Sequence, residues 1–218
     1  MKNKNKGAVL VFSAHSDDFV IGAGGTIAQY TRLGWKVHIV IFSYGEKSHP
    51  WLKRGVIKKL RAKEAFAAAK ILHCTIQFLD LHEFSFWEDY KRKDVKELLL
   101  KLIVRQKPGK LFTHSQEDPH PDHHAVYRIT EDIYQALPAI QRPEVYTYSI
   151  WNPVSFKTNF PVMYSRVTST FKIKLRALRS FPSQRFHIIY PLILLWYKAI
   201  KDGLKLRTLF GEHFFRIR

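Results

Sequence analysis

The sequence predicts an α/β fold, a Rossmann-like three-layer α/β/α arrangement around a mostly parallel sheet, in a single domain over residues 1–218. Three observations carry that expectation. Apolar runs rich in β-branched residues alternate with helix-patterned segments, which is the rhythm of a parallel sheet covered on both faces. The composition, 46% hydrophobic with ten Gly and ten Pro, is that of a globular chain rather than a disordered one. The length of 218 residues suits one substantial core and is too short for two comfortable ones.

The elements follow in order. "AVLVFSA", residues 8–14, opens the sheet. A helix from Ile21 to Leu33 is stopped by Gly34, a residue suited to the left-handed position after a helix end. "KVHIVIFS" at 36–43 is the second strand. Over Val56–Leu72, Ile57, Leu60, Ala68 and Ile71 share one helical stripe, and Glu64 falls on it too. Arg61, three residues before Glu64, is within reach as its partner. "TIQFLDL" at 75–81 is the third strand. A helix over Asp94–Arg105 begins with "DVKE", an N-cap residue with Glu97 three positions on. "KLFTH" at 110–114 and "EVYTYSI" at 144–150 complete the parallel series. Past Asn152 the pattern loosens into a basic helix at 171–181, a helix at 193–203 ending at Gly203, and a short strand in "GEHFF". These are expected to lie against the same core.

A single cysteine, Cys74, excludes an internal disulfide and any cysteine-based zinc finger, so metal ligands would have to be His and carboxylate. With an N-terminal apolar stretch too short for a signal-peptide core, this predicts the cytoplasm. The net charge is +18, and residues 157–218 (the basic C-terminal third) hold thirteen Lys or Arg against two acids. Such a bias points to an anionic partner, a phosphorylated substrate or an acidic membrane surface ahead of nucleic acid, or more plainly to a solvated face. "HIIYPLILLWY", 187–197, is too short to span a bilayer but, flanked by Arg185, Lys198 and Lys201, could lie on one.

Two clusters carry the chemistry. "HSDD" places His15, Asp17 and Asp18 directly after the first strand, and "EDPHPDHHAV", 117–126, places Asp118, His120, Asp122, His123 and His124 directly after "KLFTH". Ligands of open α/β sheets bind outside the carboxyl ends of strands, near the point where strand order reverses, so this topology can bring the two face to face. Two His and one carboxylate with an open fourth position suit a catalytic zinc. His15 and Asp18 are the candidates on the first turn and the histidine cluster would supply the third ligand. Asp17 is then free to act as base on a metal-held water, with an unligated histidine across the site as acid. Gly22, Gly24 and Gly25 let backbones approach at the helix start. Each half has a plainer explanation, an aspartate capping the helix for "HSDD" and a solvated loop for "HPDHH".

These residues resemble those of the PIG-L or LmbE-like deacetylases, zinc-dependent enzymes that remove acetyl from N-acetylglucosamine-bearing molecules. "AHSDDF" is similar to the family's Ala-His-Pro-Asp-Asp-Glu, and "HPDH" at 120–123 to its second motif. "SYGE" at 43–46 is similar to Thr-x-Gly-Glu, "RAKEAFAAAKIL" to its Arg-x-x-Glu helix, and "KLRALRSFPSQ" and "GEHF" to its closing motifs, so the likeness covers nearly the whole chain. It implies that His15, Asp18 and His123 hold zinc, or another divalent metal such as iron(II), and that Asp17 is the general base. His120 would be the general acid or the stabiliser of the tetrahedral intermediate, oriented by Asp122. Arg61 would contact substrate, in competition with pairing Glu64, and Glu83 in "DLHEF" would stand where relatives often have an Asp facing the sugar. His124 is left as structural.

Two positions depart from the family pattern. Ser16 replaces a proline, and its hydroxyl can restore order by bonding local backbone. Phe19 replaces a glutamate, which would weaken metal affinity if that glutamate supports the metal shell. The expected activity is metal-dependent deacetylation of an N-acetylglucosamine-type amino-sugar conjugate. The alternatives are a metal hydrolase of another anionic substrate, phosphorylated or lipid-linked, and an inactive member that serves as a binding module.

Overall fold

The computed structural model describes residues 7–48, 53–92, 94–155, 159–184 and 189–218. Lys157 at the head of the basic third, and Arg185, His187 and Ile188 around the apolar run, lie outside the described residues. Five strands run parallel: β1 (Ala8–Ser13), β2 (Lys36–Ile41), β3 (Thr75–Phe78), β4 (Lys110–His114) and β5 (Glu144–Tyr148). β6 (Val162–Arg166) and β7 (Gly211–Arg216) extend the sheet antiparallel, in the order β3-β2-β1-β4-β5-β7-β6. The order reverses between β1 and β4, so the carboxyl ends of these two neighbours flank the crevice where such sheets bind ligands.

The α/β reading of the sequence holds, and the alternation of β1 shows why. Val9 and Val11 point into one core, Leu10 and Phe12 into the other, and all four are fully buried. On the first face lie α1 (Asp18–Arg32), α2 (Arg54–Leu72), α6 (Thr168–Leu178) and α7 (Ile189–Lys205). On the second lie α3 (Phe86–Arg92), α4 (Val95–Gln106) and α5 (Pro121–Ala136). α1 begins three residues before the predicted start. It ends as expected at Gly34, whose φ of 86° is open to glycine at little cost.

Several local expectations fail for identifiable reasons. Asp94 precedes α4 in the left-handed region and makes no side-chain cap, so the "DVKE" capping box does not form. Gly203 does not end α7. It is buried inside the helix, where a Cβ would stand 2.4 Å from the carbonyl oxygen of Leu209. On α2 the buried stripe is Ile57, Arg61, Glu64, Ala65, Ala68 and Leu72, while Leu60 is exposed. Glu64 is not paired with Arg61. Its carboxylate accepts the Ser183 N–H (2.9 Å) and hydroxyl (2.6 Å), which ties α2 to the segment after α6.

The glycine cluster of α1 serves packing. A Cβ on Gly22 would lie 2.2 Å from the Tyr148 ring, and one on Gly25 would lie 2.9 Å from both Glu212 and Val167. Glu212, on β7, accepts from Gly25 N (3.1 Å), Thr26 N (2.8 Å), the Thr26 hydroxyl (2.6 Å) and buried Lys174 (2.6 Å). The family-like closing motifs thereby clamp α6 and β7 onto α1. No helix among the described residues is long and apolar enough to cross a membrane.

Candidate metal centre

The turn between β1 and α1 is held by its own polar side chains. Ser13 donates to the carbonyl of His15 (2.7 Å) and accepts from Phe19 N (3.1 Å), and Asp18 accepts the backbone N–H of His15 (2.8 Å). Asp17 sits at the N-cap position of α1 but makes no side-chain cap. Its carboxylate instead meets Arg61 Nη2 at 3.0 Å. Arg61 is 1% exposed and also donates Nε to the Tyr44 carbonyl (2.8 Å). Ser16 donates to that same carbonyl (2.8 Å), so the serine in place of proline anchors the turn to a loop 28 residues away. Gly45, at φ 78°, leaves the room Arg61 needs, since a Cβ there would stand 2.7 Å from Nη2.

The second turn approaches from β4. His120 caps α5, its Nδ1 accepting the N–H of Asp122 (3.1 Å), and Pro121 occupies the first helical position. Cap and proline start the helix inside the motif, which is no solvated loop. Asp122 and His123 point inward from its first turn, both buried, and His124 is exposed.

Together the turns make two sets whose donor atoms all lie within 4.8 Å of one another: His15, Asp18 and His123, and His15, His120 and Asp122. In the first set, His15 Nδ1 and His123 Nε2 approach Asp18 Oδ2 at 3.3 Å and 3.4 Å. Both ring nitrogens of His123 are buried without a well-aligned hydrogen bond among the described residues, Nδ1 with Asp118 close by and Nε2 turned to the cage. Orphaned nitrogens of this kind are costly unless something fills the gap between them, and a cation with N/O ligands suits the donors present. The remaining nitrogens are braced from behind. His15 Nε2 faces Asp122 Oδ2 at 3.1 Å, and His123 Nδ1 faces Asp118 Oδ1 at 2.9 Å, the arrangement that orients ligating imidazoles.

Electrostatics point the same way. Burial opposes protonation of His15 and His123, yet neighbouring carboxylates outweigh it, with pKa values raised to about 10 by Asp122 and Asp18, and to about 8 by Asp18 and Asp118. Although burial works the other way, contact with these histidines holds Asp18 and Asp118 well below the usual carboxylate range. Burial, then the charges of His15 and His123, lowers His120 to about 4, so its imidazole is neutral at neutral pH. Its Nδ1 is engaged as an acceptor, so the proton resides on Nε2.

Glu83 is turned toward this cage, buried, with Oε1 3.6 Å from His15 Nε2 and Oε2 accepting the Lys47 N–H at 2.5 Å. Burial raises its pKa. Phe19 is fully buried in the core beneath α1, not among the polar groups. Two residues of the site, His114 and Phe84, escaped the sequence reading, and Asp118 was given no role in it. Asp118, seen only as a cluster member, also accepts Ile150 N (2.6 Å) and Trp151 N (3.0 Å). His114, at the carboxyl end of β4, accepts Ala14 N (3.0 Å), lies 3.5 Å from Asp18 and stacks on His123 at 3.9 Å. Its position at a strand end was the available signal. Phe84 is exposed beside the cage, stacked on His120 (5.7 Å), its N–H given to Asp122 (2.7 Å) at a φ of 65°.

Comparison with known proteins agrees with this fold. The PIG-L family model, described as GlcNAc-PI de-N-acetylase, matches residues 10–134. The 4-oxalmesaconate hydratase of Pseudomonas putida is 29% identical over 199 residues, covering 84% of this chain and 76% of that protein. The diacetylchitobiose deacetylase of Thermococcus kodakarensis is 26% identical over 193 residues, covering 81% and 69%. The crystal structure of a 4-carboxy-2-hydroxymuconate hydratase from P. putida superposes with a TM-score of 0.83 at 23% identity, covering 97% of this chain and 96% of that one. The matched span contains both motif turns, Arg61 and the β1/β4 crevice, and the chain belongs to the PIG-L family.

Proposed function

We propose that this protein is a metal-dependent deacetylase that hydrolyses the N-acetyl group of an N-acetylglucosamine-type conjugate. The family description and the deacetylase relative support the reaction class. The observation that carries the mechanism is Asp17, buried beside the ligand cage, absent from both donor sets, and held by Arg61. His15, Asp18 and His123 would hold the metal, zinc on the strength of the donor set, with iron(II) as the other candidate. When bound, the cation supplies Lewis-acid polarisation of the acetyl carbonyl and acidifies a water.

Asp17 accepts the water's proton as oxygen attacks the carbonyl carbon. The same carboxyl group returns that proton to nitrogen as the C–N bond breaks, releasing acetate and the amine. His120 is neutral with its proton on Nε2, so it donates a hydrogen bond to the developing oxyanion rather than acting as the protonated acid. Asp122, through its backbone N–H, fixes that tautomer. Arg61 acts through Asp17 rather than on substrate, and Phe84 offers an apolar ring to the sugar at the rim.

The likeness to 4-oxalmesaconate hydratase favours a second reading, in which the same water adds across a C=C bond. Acetate release from N-acetylated amino sugars, assayed beside hydration of 4-oxalmesaconate, separates the two. In the Asp17→Asn variant, acetate release should fall about 10²- to 10⁴-fold with metal content unchanged. Near-normal turnover in that variant would remove Asp17 as the base.

A further inference from the structure

Helix α7 is apolar on both sides. Pro191, Leu194, Leu195 and Ala199 are buried on its inner side. A surface helix ordinarily turns polar residues outward. Here Ile189, Ile193, Trp196, Tyr197, Ile200 and Leu204 are all exposed, Ile193 at 62% and Leu204 at 74%. At 3.6 residues per turn these six fall within an arc of about 100° that contains no charged side chain. Exposed Lys201 borders the arc, its ammonium 5.6 Å from the centre of the Tyr197 ring, and exposed Lys205 follows it farther round the helix, its ammonium given to the Tyr164 hydroxyl at 3.2 Å.

We propose that this face of α7 is a docking surface for the interface of an anionic lipid bilayer. Its aliphatic stripe, with Trp196 and Tyr197 among it and lysines along one border, has the composition of helices that lie in the headgroup region. The charge around it selects the partner. The adjoining α6, whose Phe171 ring meets Trp196 edge-on at 5.0 Å, exposes Lys172, Arg176 and Arg179, and Arg207 is exposed just beyond α7. A second copy of the chain is a poor occupant. Pairing this face with itself would bring together two surfaces that are both bordered by basic side chains, with no carboxylate in the stripe to answer them, on chains that each carry +18. An anionic leaflet supplies both the apolar depth and the counter-charge. A relay of contacts links the start of this helix to the metal cage. Tyr190 stacks on Trp151 (6.0 Å), whose N–H is given to Asp118, the carboxylate behind His123.

The test is sedimentation of the full chain with vesicles of phosphatidylserine and phosphatidylcholine, against phosphatidylcholine alone. The protein should sediment with the anionic vesicles, release as salt rises, and bind the neutral ones weakly. Each basic residue near an anionic surface is worth about a fivefold change in partition, so Lys201→Glu with Lys205→Glu should weaken binding about 25-fold or more. Ile193→Glu with Leu204→Glu should abolish binding while leaving the unfolding midpoint and acetate release from a soluble conjugate unchanged. The proposal is overturned if the wild type ignores anionic vesicles or if neither double variant weakens binding. It is likewise overturned if sedimentation velocity finds a dimer that Ile193→Glu with Leu204→Glu splits, with no vesicle binding. Vesicle binding is read without catalysis, so it stands or falls apart from the deacetylase reading.

Discussion

Two Lys or Arg side chains are buried among the described residues, Lys174 and Arg61, and their surroundings differ in kind. Around Lys174 the charges close. Its ammonium meets Glu212, and the rest of that carboxylate is taken up by Gly25, Thr26 and the Thr26 hydroxyl. Around Arg61 they do not. Asp17, Asp18, Glu83, Asp118 and Asp122 are all buried near the two motif turns, with histidines drawn toward protonation and a buried nitrogen of His123 without a hydrogen bond. A fully matched buried pair specifies how elements dock. A surplus of buried negative charge is tolerable where a cation is meant to enter.

The sharpest way to break this contrast is at Glu212. Glu212→Ala leaves Lys174 buried and uncompensated and strands the donors of Gly25 and Thr26, which should cost about 3–5 kcal/mol in denaturant unfolding. Adding Lys174→Met to Glu212→Gln removes the lone charge and should recover part of that loss. If Glu212→Ala were near neutral, the clamp would be ornamental and the contrast would fail. Asp118→Asn probes the other region. It keeps the shape but weakens the acceptor behind His123, so metal affinity, measured by competition with a chelating dye, should drop about 10- to 100-fold. The unfolding cost of the metal-free variant should be smaller than at Glu212, because asparagine keeps an oxygen for the Ile150 and Trp151 N–H groups and His123 still has Asp18 beside it.

The contrast also marks how much the sequence discloses. Strands β1, β2, β4 and β5 were legible because burial on both faces demands near-continuous apolar runs. β6 was not, because "VMYSR" is an edge strand with exposed positions and its partner, β7, lies some fifty residues on. The helical stripe of α2 was placed in part: Ile57, Glu64 and Ala68 lie on it as periodicity expects, Leu60 is exposed, and periodicity has no means of predicting that Arg61 is buried there or which partners from other elements hold Arg61 and Glu64. His15, Asp18, His120, Asp122 and His123 stood out by residue type and spacing, and the structure brings them together across the β1/β4 crevice. Asp118 and His114 act through the β5 end and the β1 turn, contacts that exist only once β4 lies between those strands. Phe19 looked like a lost acid and is a core residue, because the first turn of α1 rotates that position toward the sheet.

A further expected effect concerns pH. A histidine whose folded pKa exceeds its unfolded value stabilises the fold below the unfolded value and loses that contribution as pH rises through the folded one. In the metal-free protein His15 is raised to about 10 and His123 to about 8, from an ordinary value near 6.5. Thermal stability of the chelated protein should therefore decline between about pH 6.5 and 10, its part below about pH 8 owed to both rings and its part above to His15 alone. Metal requires both rings in the deprotonated form at the ligating nitrogen, so affinity should climb through that window and binding should release protons. The loaded protein should show a flatter profile, because the cation supplies the positive charge that the protons did. Glu212→Ala should shift the whole curve downward without changing its slope, since the titrating groups are in the other region, whereas Asp118→Asn should flatten the segment near pH 8. A slope that follows Glu212 instead would mean that the two buried clusters are electrostatically one.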